Sequence, residues 1–171
     1  MAGRGSQADQ SAPRQGATGA RILVIDAPYY HEIAEALLVG ATSELEAAGA
    51  TYERVIVPGA LEIPLALAQA VEAGLIPGRA GRARFDGCVA LGCVIRGETS
   101  HYDTVCDNAN HWLMEIATRH AIPLGNAILT VENEAQALER ARGGRESKGA
   151  GAVRACMTLI EHARAFASER P

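Results

Sequence analysis

Residues whose types and spacing can do chemistry gather in a few short segments of this chain. The most informative reads Gly92-Cys-Val-Ile-Arg-Gly-Glu-Thr-Ser-His101-Tyr102. Its glycine permits a sharp turn, Thr99 and Ser100 supply hydroxyls and helix-capping chemistry, and free amides at a helix start favour an anion such as phosphate. His101 stands in the first turn beside that anion and can move protons near neutral pH. A histidine by itself is more often structural than catalytic, and it is the location that argues for catalysis here. Upstream, Val57-Pro-Gly-Ala-Leu-Glu-Ile-Pro64 sets backbone amides at a second helix start, with Glu62 in its first turn. Such a carboxylate complements the helix dipole, and with the free amides it also suits a polyhydroxyl chain. Tyr29 and Tyr30 are adjacent in a chain with 4 tyrosines, and read either as a surface lid or as a platform for a flat heterocycle. Arg140 and Lys148 follow the last strand and together suit a cationic clamp for phosphate.

Lys148 is also the one lysine among 16 Lys and Arg residues. Lysine is a compact, tunable point charge where guanidinium is a broad fork, so its survival at this position invites a role arginine does not fill. His111 and His120 share a helix with His101, but their spacing does not align three metal ligands, and no metal site is expected. There is no GxxxxGK[ST] segment and no GxGxxG after a strand, so triphosphate and dinucleotide chemistry lack support.

The elements that must position these groups are legible from periodicity. Residues 21–26 (RILVID) form an apolar, β-branched run that reads as a buried strand. Residues 31–48 carry a helical stripe of Ile33, Leu37, Leu38, Ala41 and Leu45, ended by Gly49. A strand over 52–57 and a helix over 62–73 follow, the latter closed by Gly74. A Gly/Arg-rich loop precedes a strand over 85–95, then a helix over 101–121, a strand over 122–131, a short helix over 134–142, and a last helix opened by Lys148. Strands alternating with helices, each strand apolar on both faces, imply a parallel sheet covered on two sides. Ligands of such sheets bind beyond the carboxyl ends of the strands, where the segments above lie.

At 171 residues, 48% hydrophobic and 21% charged, the chain is sized for one globular domain over 21–167. Residues 1–20 lack both an apolar core and a helical period, so they read as a disordered tail and not as a signal peptide, with 168–171 as a C-terminal tail. No apolar run is long enough to span a bilayer. A net charge of -4, with 1 Trp, 4 Tyr and 2 Phe and no basic run, lacks the footprint of a nucleic-acid binder. Cys88, Cys93, Cys106 and Cys156 form no CxxC pair and read as structural thiols of a reducing cytoplasm.

Taken together, VPGALEIPLA at 57–66, GCVIRGETSHYDTV at 92–105, LTVENEAQALERA at 129–141 and SKG at 147–149 resemble the lumazine synthase family across about residues 21–166. The resemblance implies an α/β fold, a flavodoxin-like three-layer sandwich with a four-stranded parallel sheet flanked by helices. It implies a homo-oligomer, a pentamer or multiples of it up to a sixty-subunit shell, with active sites between neighbouring subunits and riboflavin synthase as a protein partner. The implied reaction is condensation of 5-amino-6-(D-ribitylamino)uracil with 3,4-dihydroxy-2-butanone 4-phosphate to 6,7-dimethyl-8-ribityllumazine, phosphate and water, with no metal and no organic cofactor. Matched residue by residue, Tyr29 stacks on the pyrimidine, Ala60, Leu61 and Glu62 hold the ribityl chain, and Cys93, Val94 and Ile95 line the ring pocket. Glu98 and Thr99 form the phosphate turn with Arg140 as its cationic partner, His101 is the proton shuttle, and Lys148 reaches the same polar site. Asn126 stands where many family members present an aromatic from the neighbouring subunit. Glu98 brings a carboxylate beside the phosphate turn, and the Arg-rich loop at 78–84 looks like a peripheral insertion. Two other readings compete: a non-catalytic flavin-binding or shell-forming paralogue, and a flavodoxin-like carrier or phospho-acceptor module centred on Asp26.

Overall fold

The computed structural model describes residues 17–76 and 83–169. Strands β1 (Arg21–Asp26), β2 (Thr51–Ile56), β3 (Gly87–Ile95) and β4 (Leu124–Val131) alternate with helices α1 (His31–Ala47), α2 (Glu62–Glu72), α3 (His101–Arg119), α4 (Glu134–Ala141) and α5 (Lys148–Ser168), with a 3-10 turn at Gly144–Glu146 before α5. The sheet is wholly parallel, in the order β2-β1-β3-β4. This matches the start of the flavodoxin-type order and is the three-layer α/β sandwich expected.

Side chains alternate across each strand, and the alternation sorts the core into two halves. Ile22 and Val24 of β1, Val89 and Leu91 of β3, and Ala127 and Leu129 of β4 pack with Leu37, Leu45, Val153 and Met157 from α1 and α5. Leu23 and Ile25, Cys88 and Ala90, and Leu124 and Ile128 face the other way, onto Ile63 and Leu67 of α2 and Leu113 of α3. β1 and β3 are therefore apolar on both faces, as expected of central parallel strands.

β2 departs from that expectation. All of its residues are exposed, because it is an edge strand whose Glu53 and Arg54 interrupt the apolar run. Both charges are used: Arg54 donates to buried Asp26 at 2.9 and 2.5 Å, and Glu53 pairs with Arg84 at 2.6 Å.

Helix ends explain the other differences in span. After α1 and α2, Gly49 and Gly74 take positive φ values of 65° and 70°, and each closes its helix with paired bonds, Ala50 N–H to Leu45 O with Gly49 N–H to Glu46 O, and Leu75 N–H to Ala70 O with Gly74 N–H to Val71 O. After α3 the same arrangement is built on an alanine: Ala121 sits at φ 52°, with Ile122 N–H on Ala117 O and Ala121 N–H on Thr118 O. No glycine marks this stop, which is why α3 ends two residues short of the expected 121 and β4 begins at Leu124.

At the N-terminus the fold starts earlier than expected. Ala17 and Ala20 are fully buried, Gly19 N–H donates to Gly49 O and Ala20 N–H to Ala17 O, so residues 17–20 pack as part of the domain. The rest of the expected tail, 1–16, lies outside the described residues, as do 77–82, which include most of the Arg-rich loop, and 170–171. Cys88, Cys93 and Cys156 are buried and Cys106 is partly so, all as free thiols.

Candidate active site

Three of the turns beyond the carboxyl ends of the strands converge on one cavity of about 430 Å³. β1 delivers Tyr29 and Tyr30, β2 delivers Pro58 to Glu62, and β3 delivers Cys93 to Ile95 with Gly97, Thr99, His101, Tyr102 and Val105 from the turn and helix that follow. A cavity of this size suits a small-molecule ligand.

The tyrosine turn is set by Tyr29 N–H donating back to Ala27 O. The two rings meet edge to face with centroids 5.1 Å apart, Tyr30 half-buried against the α1 core and Tyr29 72% exposed. Tyr29 therefore offers an open ring face while Tyr30 braces it. Burial pushes the Tyr30 phenol above its ordinary pKa, with Cys93 and Tyr29 adding to the rise and a backbone hydrogen bond from Ile95 opposing it, so it remains a neutral hydrogen-bonding group.

Opposite, Glu62 starts α2, its N–H bonded to Gly59 O and that of Ile63 to Ala60 O. This compact turn brings the Ala60-Leu61-Glu62 backbone to the cavity wall. Cys93, Val94 and Ile95 form the apolar floor. Burial pushes the Cys93 thiol up to about 11, with neighbouring Cys106 adding to it. A thiol so protonated is part of the wall and not a nucleophile.

The third turn positions His101 at the first residue of α3, exposed toward the cavity mouth. Ser100 is the N-cap residue but its hydroxyl makes no capping bond, contrary to the capping chemistry expected of it. Its helical φ and ψ (-67°, 0°) are not the extended backbone that side-chain capping requires. Thr99 Oγ1 instead accepts from His101 N–H at 3.4 Å.

Of the residues singled out in the sequence, Tyr29, Ala60, Leu61, Glu62, Cys93, Val94, Ile95, Thr99 and His101 line this cavity. Glu98 is exposed on the same turn without lining it. Three others lie elsewhere on the chain. Asn126 is on β4, where its Nδ2 donates to Asn110 Oδ1 at 2.8 Å and its Oδ1 accepts from Ile128 N–H at 2.9 Å. Arg140 sits in the last turn of α4 with its guanidinium on Gln136 O at 2.9 Å. Lys148 is exposed at the first residue of α5, whose start is capped by Ser147 Oγ accepting from Ala150 N–H. Tyr102 and Val105 line the cavity and were not picked out. The signal was available, since Val105 lies four residues after His101 on the same helical face.

Asp26 ends β1 fully buried, with Oδ2 committed to Arg54 and Oδ1 unpartnered. Burial raises its pKa, the Arg54 hydrogen bond and charge opposing that rise. Closed off and ion-paired, it is unsuited to accept a phosphoryl group. Among the described residues no helix is long and apolar enough to cross a membrane, and no group of three or more His, Cys, Asp or Glu side chains is placed to hold a metal ion.

The sequence matches the profile of 6,7-dimethyl-8-ribityllumazine synthase over residues 19–164. It is 51% identical over 143 residues to the 6,7-dimethyl-8-ribityllumazine synthase of Azorhizobium caulinodans, covering 84% of this chain and 86% of that one. Against the same enzyme of Xanthobacter autotrophicus the identity is 46% over 157 residues, 92% and 93% of the two chains. Against 6,7-dimethyl-8-ribityllumazine synthase 1 of Rhizobium meliloti it is 48% over 149 residues, 87% and 95%. The matched span includes every strand, every turn of the cavity and α5 as far as residue 164, and the chain belongs to the 6,7-dimethyl-8-ribityllumazine synthase family.

Proposed function

We propose that this cavity condenses 5-amino-6-(D-ribitylamino)uracil with 3,4-dihydroxy-2-butanone 4-phosphate to give 6,7-dimethyl-8-ribityllumazine, inorganic phosphate and water, as a transferase of riboflavin biosynthesis. The observation that carries this reading is the convergence of Tyr29, Glu62 and His101 from three separate turns on one cavity.

In this reading Tyr29 stacks on the pyrimidine, Ala60, Leu61 and Glu62 hold the ribityl hydroxyls, and Cys93, Val94 and Ile95 pack against the ring. Thr99 and the amides at the start of α3 receive the phosphate, helped by the positive end of the helix. The substrate amine adds to the ketone and expels water as an imine forms. Phosphate then leaves by elimination, and the ring closes with loss of a second water. His101 carries protons between these steps. Holding both substrates in one place contributes more, up to roughly 7–11 kcal/mol of the barrier in well-oriented cases.

Asn126, Arg140 and Lys148 enter the reaction from a neighbouring copy, in a homopentamer or multiples of it. Support comes from their separation from the chain's own cavity and from the apolar groups left outside: Ile56 of β2 is 61% exposed and Trp112 and Met114 of α3 are each 50% exposed. Arg140 then supplies the cation facing the phosphate, Lys148 reaches the same polar site, and Glu98 turns its carboxylate away while its amide donates. The setting is the cytoplasm, where riboflavin synthase consumes the product.

The test mixes the purified protein with both substrates and follows lumazine formation and phosphate release in the same sample. Equal amounts of both, above the uncatalysed background, are expected. A folded, oligomeric protein that leaves the background rate unchanged would sink the catalytic reading.

A further inference from the structure

Arg96 immediately follows β3 and precedes the turn that carries Thr99 and His101, yet it does not line the cavity. Its guanidinium is held from three directions. Nη1 and Nη2 meet both oxygens of Asp103 at 3.3 and 3.1 Å, Nε lies 3.2 and 3.0 Å from the two oxygens of Glu132, and Cζ lies over the Tyr102 ring, 4.1 Å from its centroid. The backbone N–H of Arg96 donates to Val131 O at 2.9 Å. One residue thus joins the end of β3, the start of α3 and the segment after β4, and it lies against an aromatic ring that forms part of the cavity wall.

In the turn between Arg96 and Asp103, Ser100 O accepts from Asp103 N–H at 3.1 Å and from Thr104 N–H at 3.3 Å, and side chains add little. Its start at α3 lacks a side-chain cap from Ser100, and Thr99 reaches the His101 amide at the long distance of 3.4 Å. Its shape therefore depends on what its ends are attached to. An exposed ion pair contributes little to stability by itself. A planar fork shared by two carboxylates and set over a ring, however, satisfies all three partners in only one orientation. The network is better suited to fixing a geometry than to strengthening a fold.

We infer that Arg96 is a positioning residue: by joining Asp103 and Glu132 while lying on Tyr102, it sets where the turn of residues 97–101 and the Tyr102 ring stand on the cavity wall, and so where the phosphate-bearing substrate is held relative to His101. This rests on the reading of the cavity given above. Lysine at this place keeps the charge but loses the fork that joins Asp103 and Glu132.

The experiment compares full-length parent, Arg96→Lys and Arg96→Ala in steady-state kinetics with each substrate varied in turn, alongside thermal unfolding. Misplacement of a reacting group by about 1 Å costs on the order of a hundredfold in rate, so kcat/KM for the butanone phosphate is expected to fall by about ten- to a hundredfold in Arg96→Lys. KM for the aminouracil and the melting temperature should stay near the parent's. Arg96→Lys with parental kinetics for both substrates would overturn the inference. So would equal losses for both substrates accompanied by a matching drop in melting temperature, which would mark Arg96 as merely structural. If Arg96→Ala does not fold, Arg96→Lys decides. An inactive parent would overturn the reading of the cavity and this inference with it, whereas an active parent with unaltered variants would overturn the inference alone.

Discussion

The two long helices α3 and α5 cover opposite faces of one sheet and do opposite work. α5 buries seven residues, among them Val153, Cys156, Met157 and Ile160. Its Gly149 packs so closely on Leu37 O of α1 that a β-carbon there would collide with backbone. Glu44 of α1, itself buried, binds Arg145 at 2.9 Å and Arg154 at 3.1 Å, tying the 3-10 turn and α5 to the same helix. α3 buries only Ala109, Leu113 and Ala117 and leaves Trp112 and Met114 outside, yet its first turns carry His101, Tyr102 and Val105. One face closes on itself and holds the fold, and the other turns the start of its longer helix toward the cavity.

Substitutions can break that division. The largest effect is expected on the closed face: Leu37→Ala removes a fully buried side chain and should cost about 2–5 kcal/mol in denaturant unfolding, with activity per folded molecule retained. A loss under 1 kcal/mol would mean that face is less tightly closed than its burial indicates. His101→Ala should do the reverse, lowering turnover by roughly ten- to a thousandfold, at or below the usual range for losing a general acid-base group, with little change in melting temperature. An unchanged rate would assign His101 a structural role. Arg140→Ala should raise KM for the phosphate substrate by about tenfold or more, the scale of one charge-assisted hydrogen bond, and leave the aminouracil KM alone. Equal affinity in mutant and parent would dismiss it as the phosphate partner.

The smallest effect is expected where α3 stops. Ala121 holds a left-handed backbone that costs an L-residue about 1–2 kcal/mol, and glycine regains part of that against its own entropy. Ala121→Gly should therefore stabilise by about 0.5–1 kcal/mol, read as a higher denaturation midpoint. A lower midpoint would show that the alanine packs to more effect than its φ costs.

That same alanine marks a limit of reading by pattern. β1 and β3 were legible because they are apolar on both faces, and α1 and α2 announced their ends with Gly49 and Gly74. The end of α3 was not, since Ala121 does there what glycine does elsewhere. β2 read as a strand but not as an exposed edge, because the roles of Glu53 and Arg54 depend on partners distant in the chain, Arg84 and Asp26. For the site, the rule that ligands bind beyond the carboxyl ends pointed to the turns after β1, β2 and β3, which line one cavity. It did not mark Tyr102, which lines the same cavity and has the Arg96 guanidinium over its ring. It also could not show that Asn126, Arg140 and Lys148 stand apart from the chain's own cavity, since a motif marks a residue type without marking a distance.

The closed face has a consequence for the order in which the molecule is made. Ala17, Ala20 and α1 leave the ribosome more than a hundred residues before Val153, Met157 and Ile160, which complete their core, and Arg164 reaches back to Thr18 O. Contacts so distant along the chain form late and at high entropic cost. The nascent chain therefore carries β1 and α1 with their apolar side bare until α5 emerges, a state open to aggregation and to chaperones. Truncation within α5 would expose the same surface permanently, so α5 decides whether β1 and α1 can keep their structure.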